Sequence, residues 1–175
     1  MKNILLGITG SISAYRSCDI ANEMTKKGYN VKVILTKSGE KFITPLTLEK
    51  LSRNRVYLDT FDEHDPSKID HVELAKWADI FIIAPATANI IGKLANGIAD
   101  DLLSSTALIV NGQKIIAPAM NTAMYENPIV QENIKKLERY GYSIIEPRVS
   151  LLACLDYGKG ALPNVEDIVN VLITL

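Results

Sequence analysis

Lys114-Ile115-Ile116-Ala117-Pro118-Ala119-Met120-Asn121-Thr122-Ala123-Met124-Tyr125-Glu126-Asn127-Pro128 is the stretch on which the reading of this chain turns. Lys114-Ile115-Ile116 is a short apolar run with β-branched residues, which reads as the end of a buried parallel strand. Pro118 ends the ladder, because proline has no N–H to donate. Pro128 has the locked φ of a first helical turn and predicts a helix to Tyr140, ended by Gly141. Between the two prolines the chain must cross the carboxyl edge of a sheet, where open α/β folds hold their ligands. Two methionines, an aromatic ring and an amide in that loop suit a flat apolar ligand bearing one polar group. An ordinary connection, with Met and Tyr capping the core, would use the same residues.

Upstream, Asn3 to Ile8 is apolar throughout and reads as a central first strand. Thr9-Gly10-Ser11-Ile12-Ser13 turns it into a helix running to about Lys27, stopped by Gly28. Val31 to Thr36 reads as a second strand, followed by helical material broken at Pro45 with Thr44 as N-cap. Val56 to Phe61 is expected to form a short strand, Asp62 to Asp70 a polar loop containing His64, and His71 to Ala78 a short helix. Asp79-Ile80-Phe81-Ile82-Ile83-Ala84 is the most apolar strand, and helices near Asn89 to Ala95 and Asp100 to Val110 follow it. Downstream, Ser143 to Glu146 is expected to be the final strand, Arg148 to Pro163 a long irregular loop, and Val165 to Leu175 a closing helix. Strands alternating with helices imply a mostly parallel sheet covered on both faces, a three-layer α/β/α architecture with a Rossmann-like strand order.

The 175 residues suit one domain, 1–175, with a sizeable core. Hydrophobic residues make up 47% and the net charge is −1, which argues against disorder and supplies no basic field for nucleic acid. No apolar run reaches the ~18 residues of a membrane span. The apolar start, Met1 to Gly7, is too short for a signal peptide. Two cysteines, Cys18 and Cys154, are too few for a disulfide scaffold or a tetrahedral thiolate metal site. The expectation is a cytoplasmic protein with free thiols and no metal.

Several positions could carry chemistry. Gly7-Ile8-Thr9-Gly10-Ser11-Ile12-Ser13 resembles a dinucleotide fingerprint, but Ser13 stands at the third glycine and no acidic residue ends the second strand, which weakens a nicotinamide reading. Helix N-terminal N–H groups with the Ser11 and Ser13 hydroxyls suit one phosphate. Thr36 and Ser38 end the next strand at the same edge, so the hydroxyls together suit a mononucleotide; plain caps and turns are their alternative use. In Pro85-Ala86-Thr87-Ala88-Asn89, small residues let a ring approach the backbone, and Thr87 and Asn89 can bond its heteroatoms. His71 is a candidate proton carrier or orienting group, although a single histidine is more often structural or exposed. Cys154 lies in Leu152-Ala153-Cys154-Leu155-Asp156-Tyr157-Gly158-Lys159-Gly160, a loop fit to close over a site. It could donate a proton there or serve as a small buried hydrophobe, the role assigned to Cys18.

Together these segments resemble the flavin-dependent cysteine decarboxylases over nearly the whole chain. The signatures are Gly10-Ser11-Ile12-Ser13-Ala14-Tyr15, His71-Val72-Glu73-Leu74 with Trp77-Ala78-Asp79, Pro85 to Asn89, Pro118 to Tyr125, and Ala153 to Gly160, five in the right order. The resemblance implies that Gly10, Ser11, Ser13, Thr36, Ser38, Thr87, Ala88, Asn89 and Ala119 contact FMN. It implies a catalytic set of His71, Asn121 and Cys154, in which Asn121 binds the substrate carboxylate and Cys154 donates the last proton. Substrate contacts are Asn121, Met124 and Ala153. The implied reaction converts 4'-phosphopantothenoylcysteine to 4'-phosphopantetheine in coenzyme A biosynthesis. The cysteine moiety is oxidised to a thioaldehyde, CO2 leaves with its electrons accepted by the C=S group, and the ene-thiolate is re-reduced, so no net redox change results. The family's pocket forms between subunits, which implies a homotrimer or a dodecamer built from trimers. Tyr125 departs from a common tryptophan, and Leu155 from a usual glycine, where it restricts φ. Decarboxylation of a peptide's C-terminal cysteine and a non-catalytic FMN-binding regulatory role are the alternatives. His71 and Asn121 count against a flavin prenyltransferase of similar fold.

Overall fold

The apolar strands alternate their side chains between two faces, and that alternation sets the layers. The computed structural model describes residues 2–61 and 69–175, so the expected loop around His64 lies almost wholly outside the described residues. The strands are β1 (Asn3–Ile8), β2 (Asn30–Leu35), β3 (Val56–Tyr57), β4 (Ile80–Ala86), β5 (Gln113–Pro118), β6 (Tyr142–Ile144), β7 (Arg148–Leu151) and β8 (Tyr157–Ala161). The helices are α1 (Arg16–Lys26), α2 (Pro45–Ser52), α3 (Asp70–Trp77), α4 (Ala88–Ala95), α5 (Leu102–Ile109), α6 (Thr122–Tyr125), α7 (Pro128–Arg139) and α8 (Val165–Thr174). Gly28 and Gly141 take φ of 87° and 85° just beyond α1 and α7, the left-handed stop that a side chain would resist.

Six strands form one parallel sheet in the order β3-β2-β1-β4-β5-β6. Ile4, Leu6, Ile8, Val33, Ile82 and Ile115 face Ile20, Met24, Leu48, Ile168 and Leu172 of α1, α2 and α8. Leu5, Ile34, Phe81, Ile83 and Ile116 face Leu74, Ile91, Leu103 and Leu137 of α3, α4, α5 and α7. The result is the expected three-layer, Rossmann-like sandwich. Among the described residues, no helix is long and apolar enough to cross a membrane.

The strand order reverses between β1 and β4. Successive crossovers carry the chain outward from β1 to β3, then back to β4 on the other side of β1. The loops leaving β1 and β4 therefore part at the carboxyl edge, where such a reversal opens a crevice. Hydroxyls brace this point. β4 slips register against β5 between Ile83 and Ala86. Beside that slip the Ser17 hydroxyl donates to the Ala84 carbonyl at 2.7 Å, and the buried Thr9 hydroxyl donates to the Pro85 carbonyl at 2.7 Å. Thr9 Oγ1 also accepts the Thr87 N–H at 3.2 Å.

Four local readings are corrected. The run Val56 to Phe61 pairs only at Val56–Tyr57. The loop between Pro118 and Pro128 contains the one-turn helix α6. The stretch Arg148 to Pro163 is not irregular, and the strand expected at Ser143 to Glu146 is not the last: β7 and β8 pair as an antiparallel hairpin apart from the main sheet. β7, Arg-Val-Ser-Leu, alternates, but its Val149 and Leu151 face outward, 55% and 62% exposed, and β8, Tyr-Gly-Lys-Gly-Ala, does not alternate, so neither strand buries a full apolar face.

Replacing Thr9 by valine keeps the shape and strands the buried Pro85 carbonyl and the half-buried Thr87 N–H. The loss is expected to be about 1–3 kcal/mol, read as a lower urea midpoint with unchanged slope.

Candidate active site

The carboxyl edge at the reversal holds a cavity of about 1000 Å³, at the upper end of the roughly 300–1,000 Å³ common for small-molecule sites. Each wall follows from a local rule. Ser11 caps the short 3-10 helix Ile12–Tyr15, its Oγ accepting the Ser13 N–H at 3.2 Å. Thr36 Oγ1 donates to the Ile8 carbonyl and accepts the Gly39 N–H, both at 3.2 Å, which ties the end of β2 to the end of β1. Gly10 passes so close to the second loop that a Cβ there would lie 2.5 Å from Ser38 Cβ. Thr87 caps α4 by accepting the Ile90 N–H at 3.4 Å. These serines and threonines are caps and turn residues, and they line the cavity as well.

The structure brings Gly10, Ser11, Ser13, Thr36, Ser38, Thr87, Ala88, Asn89 and Ala119 to one cavity, with Asn121, Met124, Ala153 and Cys154 at the same walls. It does not bring His71 there. That residue lies in the first turn of α3, whose Leu74 and Ala75 pack on one face of the sheet with Leu102 and Leu103 of α5; Leu102 and Leu103 line the cavity and His71 does not.

Asn121 caps α6, and its Oδ1 accepts the Ala123 N–H at 2.8 Å. The cap bond turns the amide so that Nδ2 points to the hairpin, where it donates to Cys154 Sγ and to Asp156 Oδ2, each at 3.2 Å. The Cys154 thiol donates to the same Asp156 oxygen at 3.2 Å. Asp156 was not singled out from the sequence, although its place two residues after a candidate cysteine on a turn was the available signal. The turn closes through Leu155 N–H to the Leu152 carbonyl at 2.9 Å and Leu152 N–H to the Asp156 carbonyl at 2.8 Å. A three-residue hairpin loop of this kind needs a left-handed last residue. Leu155 supplies it at φ 68° with its side chain 79% exposed, where glycine would sit without cost. Among the described residues, no cluster of His, Cys, Asp and Glu is suited to hold a metal ion.

The Flavoprotein family profile matches residues 1–175. The chain belongs to the Flavoprotein family. It is 51% identical over 168 residues to the coenzyme A biosynthesis bifunctional protein of Bacillus subtilis, covering 96% of this chain and 41% of that one. This flavoprotein thus spans about two fifths of that relative's length. A Streptococcus mutans protein named "Probable phosphopantothenoylcysteine decarboxylase" is 49% identical over 170 residues, covering 96% of this chain and 95% of its own. A mutant PPC decarboxylase complexed with pantothenoylaminoethenethiol superposes with a TM-score of 0.89 at 30% identity, over 99% of this chain and 97% of its own. An FMN-dependent cysteine decarboxylase superposes with a TM-score of 0.85 at 31% identity, over 99% and 97%.

In this flavoprotein the hairpin that carries Cys154 is latched to the sheet. The Met120 N–H donates to the Gly160 carbonyl at 2.9 Å. A Cβ at Gly160 would strike the Met120 carbonyl oxygen, and one at Gly158 would strike the Thr122 hydroxyl. Lys159 Nζ lies 2.5 Å from Glu146 Oε2 and 5.5 Å from the Tyr125 ring centre, and the Tyr125 hydroxyl donates to the same Glu146 oxygen at 3.0 Å. Burial first, then the Glu146 carboxylate, push the Tyr125 hydroxyl up to about 12. The Lys159 ammonium foremost, with the Tyr125 hydroxyl, holds the Glu146 carboxyl below its ordinary value.

A carboxyl lowered on folding adds stability that is fully present above the ordinary glutamate value, about 4.3, and is lost as the pH falls through the lowered one. Glu146→Gln is therefore expected to melt below the wild type at neutral pH and to speed deuterium uptake across 148–161. The two melting temperatures should converge on acidification; a gap that stays constant with pH would refute the latch.

Proposed function

We propose that this chain is an FMN-dependent decarboxylase converting 4'-phosphopantothenoylcysteine to 4'-phosphopantetheine. The observation that carries the reading is an amide and a thiol, Asn121 and Cys154, held 3.2 Å apart at the wall of a hydroxyl-lined cavity. The coenzyme A biosynthesis and cysteine decarboxylation named for the relatives support it.

The residues fit FMN. Gly10 keeps the floor between the first two loops free of side chain, and Ser11, Ser13, Thr36 and Ser38 place hydroxyls around it for a phosphate or ribityl chain. Ala88 and Ala119 leave room for a ring, and Thr87 and Asn89 flank it. When bound, FMN supplies a two-electron acceptor and donor, which lets the cysteine moiety pass through a thioaldehyde, lose CO2 and return as a reduced thiol. Asn121 Nδ2 orients the substrate carboxylate. A neutral amide does so without the strong pairing of an arginine, and a tighter hold on the ground state would oppose the loss of CO2. Cys154 Sγ–H gives its proton to the substrate carbon as the ene-thiolate is reduced. Met124, 49% exposed, and Ala153 cover the apolar part of the substrate. The reaction belongs to the cytoplasm, where Cys18 and Cys154 stay as thiols.

The working unit is a homotrimer or a dodecamer built from trimers, with His71 serving the cavity of a neighbouring copy. His71 stands apart from its own chain's cavity. Ile69, two residues before it, and Leu108 and Ile109, at the end of the neighbouring helix α5, are exposed apolar side chains suited to a second copy.

Loaded with FMN, the protein is expected to release CO2 from 4'-phosphopantothenoylcysteine in preference to a peptide ending in cysteine; a preference for the peptide would move the activity to the second class. Cys154→Ser should still release CO2 yet fail to accumulate reduced product, and normal product formation would remove the proposed role of the thiol. Mixing the inactive variants His71→Ala and Asn121→Ala, unfolding and reassembling them together, is expected to restore part of the activity. No recovery would place both residues in one chain's site.

A further inference from the structure

Asn121 has no free N–H donor. Its oxygen is committed to the Ala123 N–H, so the amide cannot flip without losing the cap of α6. Its two N–H bonds go to Cys154 Sγ and Asp156 Oδ2. The Asp156 carboxylate in turn meets the Asn121 amide and the Cys154 thiol, and among the described residues no lysine or arginine pairs with it. An anion held only by two neutral donors, on the exposed tip of a turn, is exchangeable. Both donors are the groups to which the proposed function gives the substrate.

We propose that the Asp156 carboxylate is an internal stand-in for the substrate carboxylate, occupying the Asn121 amide until substrate displaces it. This rests on the reading of Asn121 as the carboxylate site. Binding is then an exchange of one carboxylate for another at the same N–H. A ligand that carries a carboxylate must break the Asp156 contact; a ligand without one leaves it intact. Asp156 thereby sets how strongly the site distinguishes substrate from decarboxylated product. Its charge, displaced but tethered two residues from Cys154, also repels the bound carboxylate, and that repulsion ends when CO2 departs. The effect falls on the ground state, where a loose hold favours the reaction. The backbone of Asp156 is fixed independently by the Leu152 N–H, so the side chain can be changed without dissolving the turn.

The test uses FMN-loaded protein and a matched pair of unreactive ligands, each with hydroxyl in place of thiol: 4'-phosphopantothenoylserine and its decarboxylated counterpart. Calorimetry is run on the wild type, Asp156→Asn, Asp156→Ala and Asn121→Ala. Both Asp156 variants are expected to bind the serine ligand about three- to tenfold tighter with the counterpart unchanged. An Asp156 that merely held the turn in shape would alter both ligands alike. Unchanged or weaker binding of the serine ligand, or equal shifts for the two, overturns the proposal. Asn121→Ala separates the two layers of the argument. If it weakens the serine ligand selectively while the Asp156 variants show no gain, only the stand-in falls. If it does not discriminate between the ligands, the role of Asn121 falls and the stand-in with it.

Discussion

The reversal of strand order between β1 and β4 is the constraint on which the rest depends. Parallel strands need crossovers, crossovers keep one hand, and a sheet wound outward in both directions from β1 and β4 must open at their carboxyl ends. An opening there exposes backbone that no ladder satisfies. Thr9 and Ser17 supply hydroxyls to the Ala84 and Pro85 carbonyls beside the register slip. The crevice is thus a place where the sheet's own pairing ends and side chains take over.

Around that opening the same residues serve two ends. Ser11 and Thr87 cap helices while facing the cavity, and Asn121 caps α6 while offering its amide. A cap fixes a side chain's rotamer through a bond to its own backbone, so the group presented to a ligand is pre-oriented and little freedom is lost on binding. Structural and functional readings of such residues do not compete here.

The hairpin is built differently. It rests on close backbone contacts at Gly158 and Gly160 and on the Lys159–Glu146–Tyr125 cluster rather than on a buried apolar face. Tyr125 gains a hydroxyl that a tryptophan would lack, and that hydroxyl reaches Glu146. Leu155 takes a left-handed φ at a turn whose geometry asks for glycine, a conformation that costs a side chain about 1 kcal/mol. Segments with few apolar contacts lie at the low end of local stability.

The sequence by itself determined the sheet, the layers and the cavity walls. The strands Asn3–Ile8 and Ile80–Ala86 are legible because burial on both faces demands unbroken apolar residues, and the helix ends at Gly28 and Gly141 because a left-handed stop favours glycine. Gly10, Ser11, Thr36, Thr87 and Asn121 could be placed at one edge because strand ends in a parallel sheet share an edge. Only the tertiary structure decided the rest. The hairpin Arg148–Ala161 offers only the short alternation of Val149 and Leu151, which faces outward, and its partners are backbone atoms of distant Met120 and the side chain of Thr122. Asp156 acquires meaning only through the 3.2 Å contacts that folding creates with Asn121 across 35 residues. His71, in the first turn of a helix packed on one sheet face, does not line its own chain's cavity, and no local pattern reveals that. Local chemistry is written along the chain, whereas contacts between segments that share no pattern arise from the packing that brings them together.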